Sequence, residues 1–131
     1  MNVRIRVVIL SLVVIALGTT SVKAQAVPEG GSAVTPALIA RGDSVYHGPG
    51  NCYACHGAKA EGLVGPSLVD AEWIHSKGTY EDILAQINQG ITKEQSKSGI
   101  PMPAKGGSAI SDEDAKAVAA YVHSLGKKQG S

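Results

Sequence analysis

Cys52 and Cys55 are the only cysteines in a chain of 131 residues, and His56 follows the second directly. Two thiols at this spacing can each add to one vinyl group of a single haem. The adjacent imidazole is then delivered to the iron as the proximal ligand. The same pair could be half of a zinc site, but such sites want four ligands and the chain has no second cysteine pair. A thioredoxin-like redox pair wants a βαβ setting, and no strand pattern surrounds these residues. The motif points to covalent attachment of one haem c.

A second iron ligand is offered far downstream, in Ile100-Pro101-Met102-Pro103. Met102 is the only methionine besides the initiator. A thioether between two prolines stands on stiff, extended backbone. That suits a soft sulfur brought to the distal face of the iron; the alternative is a methionine packed on the haem edge. His47, His75 and His123 are rival sixth ligands, none of them in a comparable loop. Trp73 carries an indole N–H that wants an acceptor when buried. A haem propionate would supply one, and packing in the core is the competing reading.

With Gly65-Pro66-Ser67-Leu68 between these two segments and a helix after the second, about the last 95 residues resemble the small class I monohaem cytochromes c of bacteria. The resemblance implies that the carbonyl of Pro66 accepts from the second nitrogen of the proximal imidazole and so fixes the ring. It also implies His56 and Met102 as the two axial ligands.

The elements that must position these residues read as helices. Thr35-Pro36 gives a cap and a first-turn proline, and Leu38, Ile39, Gly42, Val45 and Tyr46 recur at helical spacing up to His47-Gly48-Pro49-Gly50. Gly42 on that face resembles the glycine at which the first helix of this family crosses the last. Asp70–His75 is expected to form a short helical turn. Thr79 and Asp82 form a capping box for a helix ended by Gln89-Gly90. Thr92–Gly107 shows no periodicity and reads as a long functional loop. Ser111–Asp114 opens the last helix, with Val118, Tyr121, Val122 and Leu125 on one face and Gly126 as the residue that ends it. The expected fold is all-α: three main helices plus a short one around a single haem. Aromatic residues are few (four Tyr, one Trp, no Phe), and a haem would supply the missing flat apolar volume.

Residues 1–24 read as a secretory signal peptide. Arg4 and Arg6 precede an apolar stretch over Val7–Leu17, and Val22-Lys23-Ala24 offers a cleavage site, with a second register at Ala26. The apolar stretch is shorter than the about 20 residues of a membrane span. A flexible leader is expected over 25–35 and the cytochrome c domain over 36–131. Cleavage leaves nine Lys/Arg against eleven Asp/Glu, so the working surface is acidic rather than near neutral. No run of like charge marks a nucleic-acid partner.

With both axial positions filled, no coordination site remains for oxygen or peroxide, and no acid or nucleophile pair stands out. The resemblance then implies an exported, periplasmic electron carrier or electron-transfer subunit cycling Fe(III)/Fe(II), with no catalytic site of its own. Its partners would be redox proteins: a dehydrogenase or respiratory complex as donor, a terminal oxidase or reductase as acceptor. Ser111–Gly126 resembles the ends of cytochrome domains that feed haem–copper oxidases. The alternative is a haem peroxidase or gas-binding sensor in which Met102 is displaced. Lys59 and Lys105, nearest in sequence to the two ligand segments, are the expected docking cations.

Overall fold

A computed structural model describes residues 34–127; the expected signal peptide and most of the leader lie outside them. Four α-helices follow one another: α1 (Pro36–His47), α2 (Tyr53–His56), α3 (Tyr80–Gln89) and α4 (Asp112–Lys127). A short 3-10 turn, Ala104–Gly107, precedes α4. The fold is all-α, with no strand among the described residues, as the periodicities require. The short helix, however, lies on the cysteine motif itself. Asp70–His75, expected to be helical, runs as bends, and its Asp70 carboxylate accepts from the Glu72 N–H instead of nucleating a helical turn.

Each long helix begins where its cap dictates. Thr35 Oγ1 accepts from Leu38 N–H at 3.2 Å with Pro36 at the first position. Thr79 Oγ1 accepts from Asp82 N–H at 3.2 Å, but the Asp82 carboxylate reaches past the cap to Lys77 N–H, so the box is not reciprocal. Ser111 Oγ accepts from Asp114 N–H at 3.1 Å and Asp114 in turn holds the serine hydroxyl at 2.8 Å. The first turn of α4 therefore carries three acids at the positive end of its dipole.

The core lies between α1, α3 and α4, built from Val45, Tyr46, Ile83, Ile87, Val118 and Val122 with the fully buried alanines of α4. Small side chains on α4 let α1 approach closely. At Gly42 the approach is closest: the Ala117 carbonyl and the Tyr121 Cβ occupy the space a side chain would need. The pairing is reinforced at the surface, where Arg41 donates through Nε and Nη2 to Asp114 Oδ1 at 3.1 and 2.8 Å.

Gly126 does not end α4, which continues through Lys127. It is instead the place where the Trp73 indole lies against the helix, and a Cβ there would stand 3.2 Å from Cζ2. Glycine serves close packing at this point, not a left-handed cap. No helix of the described residues is long and apolar enough to cross a membrane.

Candidate cofactor site

The cysteine motif is set by the end of α1. Cys52 N–H donates to the Tyr46 carbonyl at 3.1 Å, after Asn51 has taken a left-handed φ of 51°. From there a single turn carries Cys52, Cys55 and His56 onto one short helix. Neither thiol is in a disulfide; Cys52 is half-buried and Cys55 is exposed. Burial pushes the Cys52 thiol up.

The chain then folds back over the motif. Gly62 N–H donates to the His56 carbonyl at 2.7 Å and Gly65 N–H to the Cys55 carbonyl at 2.9 Å. Gly65 rests on the imidazole, where a Cβ would come within 2.9 Å of Cε1. The next residue completes the clamp: His56 Nδ1 stands 2.9 Å from the Pro66 carbonyl oxygen. A carbonyl can only accept, so Nδ1 must carry the proton. His56 is 8 % exposed, and burial holds its pKa below the ordinary value while the Pro66 carbonyl pulls the other way. The ring is neutral, and Nε2 keeps a free lone pair.

Met102 is positioned from α3. Gly90, at φ 73°, ends that helix and lies so close to the backbone of Met102 and Ala104 that no side chain would fit. Ile91 and Met102 then exchange two backbone hydrogen bonds, Ile91 N–H to the Met102 carbonyl at 2.8 Å and Met102 N–H to the Ile91 carbonyl at 2.9 Å. The stretch expected to be without regular structure is thus closed at its base by an isolated bridge. The prolines set the local stiffness of the methionine, and the bridge sets its place.

All six residues singled out from the sequence (Cys52, Cys55, His56, Pro66, Trp73 and Met102) line one cleft with about 1200 Å³ of free space, part of it open to solvent. Its inner wall is apolar, made by Ile83, Ile87, Val118 and Val122, and Val64, Ile74 and Ile100 stand exposed around its mouth. Trp73 packs its indole on Gly78 and Gly126. Of the rival histidines only His75 reaches this cleft. His47 faces outward, with Nε2 2.8 Å from the Ala58 carbonyl, and His123 Nδ1 is held 3.0 Å from the Gly78 carbonyl. The donor set fits a haem: two free thiols, one imidazole lone pair and one thioether on a single apolar cleft. Among the described residues no group of three or more His, Cys, Asp or Glu could hold a bare metal ion.

Sequence reading missed Tyr46 as part of this site. The ring is fully buried and lines the cleft, and its hydroxyl donates to the Gly57 carbonyl at 2.9 Å. Burial drives its pKa well above the usual phenol value. Its helical register marked it as core, while a hydrogen bond to a carbonyl eleven positions away carries no sequence signal. The docking expectation also changes. Lys59 is exposed, but the Lys105 ammonium is tied to Asp112 at 2.7 Å and to the Ile110 carbonyl at 3.1 Å.

Residues 37–122 match the family described as cytochrome C oxidase, cbb3-type, subunit III. Among curated proteins, the cbb3-type cytochrome c oxidase subunit FixP of Rhizobium meliloti (strain 1021) is 34% identical over 94 residues, covering 70% of this chain and 29% of that protein. Subunit CcoP of Azospirillum brasilense is 39% identical over 84 residues, covering 60% and 28%. CcoP of Rhodobacter capsulatus is 35% identical over 88 residues, covering 60% and 27%. The chain spans less than a third of the length of these relatives. No solved structure matches it.

Proposed function

Because the chain belongs to the cytochrome c oxidase, cbb3-type, subunit III family, we propose that it is an exported haem c electron-transfer protein, working in the periplasm as a carrier or as a subunit of a respiratory complex. Cys52 and Cys55 form the two thioethers, His56 Nε2 is the proximal ligand and the Met102 sulfur the distal one. Bound haem supplies one-electron Fe(III)/Fe(II) chemistry. The chain's own residues do the rest. The Pro66 carbonyl keeps the proton on Nδ1 and thereby enriches Nε2 as a donor. The walls of Ile83, Ile87, Val118 and Val122 exclude water, which favours the less charged reduced iron. Trp73 offers its indole N–H at the cleft for a propionate.

The observation that carries this reading is the state of His56: a buried, neutral imidazole whose only protein acceptor takes Nδ1, on the same cleft as both thiols and a backbone-anchored thioether. Two filled axial positions leave no vacancy for oxygen or peroxide, so the chain has no catalytic site of its own. Donor and acceptor are redox proteins, a dehydrogenase or respiratory complex on one side and a terminal oxidase or reductase on the other. The test is expression with haem-attachment machinery, followed by a haem stain after denaturation and carbon monoxide binding to the reduced protein at neutral pH. Haem that stays with the denatured chain and no carbon monoxide adduct are expected. Ready carbon monoxide binding would favour a gas-binding or peroxidatic role, with Met102 displaced.

A further inference from the structure

The bridge between Ile91 and Met102 has two sides. On one side lies the ligand segment; on the other, Thr92–Pro101 leaves and returns at the same point. Among the described residues, every hydrogen bond made by Thr92–Ile100 stays within that stretch. Gln95 Oε1 accepts from Thr92 N–H at 3.1 Å, Ser96 N–H donates to the Thr92 carbonyl at 3.0 Å, and Gly99 N–H donates to the Ser96 carbonyl at 3.2 Å. Ser96 and Ser98 share a hydroxyl bond at 3.0 Å, and the Ser98 hydroxyl also receives Ile100 N–H. A loop that closes at its base and satisfies its own backbone behaves as an Ω-loop, a class of frequent functional use.

This loop has a charge that the rest of the surface lacks. The described residues form ion pairs through Arg41, His47, Lys105 and Lys116. Lys93 and Lys97 are exposed and in none of them, with Glu94 the one acid beside them, on a chain whose acids outnumber its bases once the leader is gone. Beside them Ile100 is 51% exposed at the mouth of the cleft. An apolar centre flanked by free cations, next to the cofactor opening, matches a partner face with an apolar spot and surrounding carboxylates.

We propose that Thr92–Pro101 is a self-contained recognition loop, tied off from Met102 by the Ile91–Met102 pairing, that presents Lys93, Lys97 and Ile100 to a carboxylate-bearing redox protein. The inference rests on the function proposed above. Its consequence is modular: the loop sets which partner docks, while ligation of the iron is set by Gly90, Ile91 and Met102.

Two variants of the haem-loaded protein test it. In the first, Lys93→Glu with Lys97→Glu, the second-order rate of electron transfer to an acidic blue-copper protein is expected to fall about tenfold or more at low ionic strength, with the gap closing as salt is raised. In the second, residues 92–101 are replaced by Asn-Gly, a two-residue turn suited to an antiparallel pair. The weak long-wavelength sulfur-to-iron band of the ferric protein is expected to persist there. An unchanged rate in the charge-reversed variant would overturn the proposal, as would loss of the band on shortening the loop. Lys93- and Lys97-dependent binding to phosphatidylglycerol vesicles, with the protein rate unaffected, would assign the face to a lipid surface instead. If the wild-type protein itself lacks the band, the failure lies with Met102 as ligand, and it is seen before any variant is made.

Discussion

The Tyr46 hydroxyl donates to the Gly57 carbonyl at 2.9 Å, joining the end of α1 to the residue that follows His56. The same carbonyl also accepts from Ala60 N–H at 3.0 Å, so it keeps a partner when the phenol is lost. Tyr46→Phe should therefore destabilise the haem-loaded protein by only about 1 kcal/mol, the net worth of one hydrogen bond. Guanidinium unfolding at neutral pH gives the value. A loss well above this range would mean that the hydroxyl holds more than one carbonyl.

The helix crossing should be far less tolerant. A methyl group at position 42 would meet the Ala117 carbonyl, which belongs to backbone and cannot rotate away. Gly42→Ala gains helix propensity yet forces α1 and α4 apart, and a net loss of about 1–3 kcal/mol is expected. Gly48→Ala would serve as a control at a glycine outside the crossing. Equal behaviour of the two variants would argue against a tight contact at Gly42.

His47 should make stability depend on pH above neutrality. Nδ1 faces the Asp43 carbonyl and carboxylate, and Nε2 faces the Ala58 carbonyl, so both nitrogens are best used as donors. The Ala58 carbonyl, followed by the Asp43 groups, raises the His47 pKa above its ordinary value, against a smaller opposing effect of burial. A raised folded pKa means that this stabilisation is fully present below the unfolded value of about 6.5 and is lost as pH rises through the folded one. Wild type should exceed His47→Gln in unfolding midpoint at pH 5.5, with the difference shrinking by pH 8.5. A difference that grows with pH would reverse the assignment.

Met102→Ala should abolish the sulfur-to-iron band, open the iron to carbon monoxide and lower the reduction potential, since a soft ligand that favours Fe(II) is gone. The protein should stay folded, because the thioethers and His56 still hold the cofactor. Gly90→Val gives a graded version of the same test. Its side chain would intrude on the Met102 carbonyl at a φ of 73° and so displace the bridge, weakening the band without removing the sulfur. Carbon monoxide titration and ferric spectra of both variants decide it.

The parts of the structure readable in the sequence were those with a local cause. Thr35, Thr79 and Ser111 cap helices through bonds to residues three positions on, and the faces of α1, α3 and α4 follow from apolar spacing. The candidate residues were readable because their chemistry is rare in this chain: two cysteines, one methionine besides the initiator, one tryptophan. What escaped were relations between backbones distant in sequence. The pairing of Ile91 with Met102 depends on where α3 stops, and no residue type announces it. Gly126 looked like a terminator because glycine often ends helices, whereas here the neighbouring Trp73 ring explains it. Lys105 looked available from its position alone, and Asp112 seven residues later takes its charge.

The contact between α1 and α4 also governs the order of assembly. Arg41 and Asp114 are separated by 73 positions, so the closest helix pair joins the two ends of the described chain. Contacts so remote in sequence are slow to form, because the whole intervening segment must first be drawn together. During synthesis α1 has no partner until the last helix has been made, and the cysteine motif lies immediately after α1. The thiols therefore remain reachable from both sides until α4 closes, which leaves an interval in which a bulky planar group can enter before its own wall is complete.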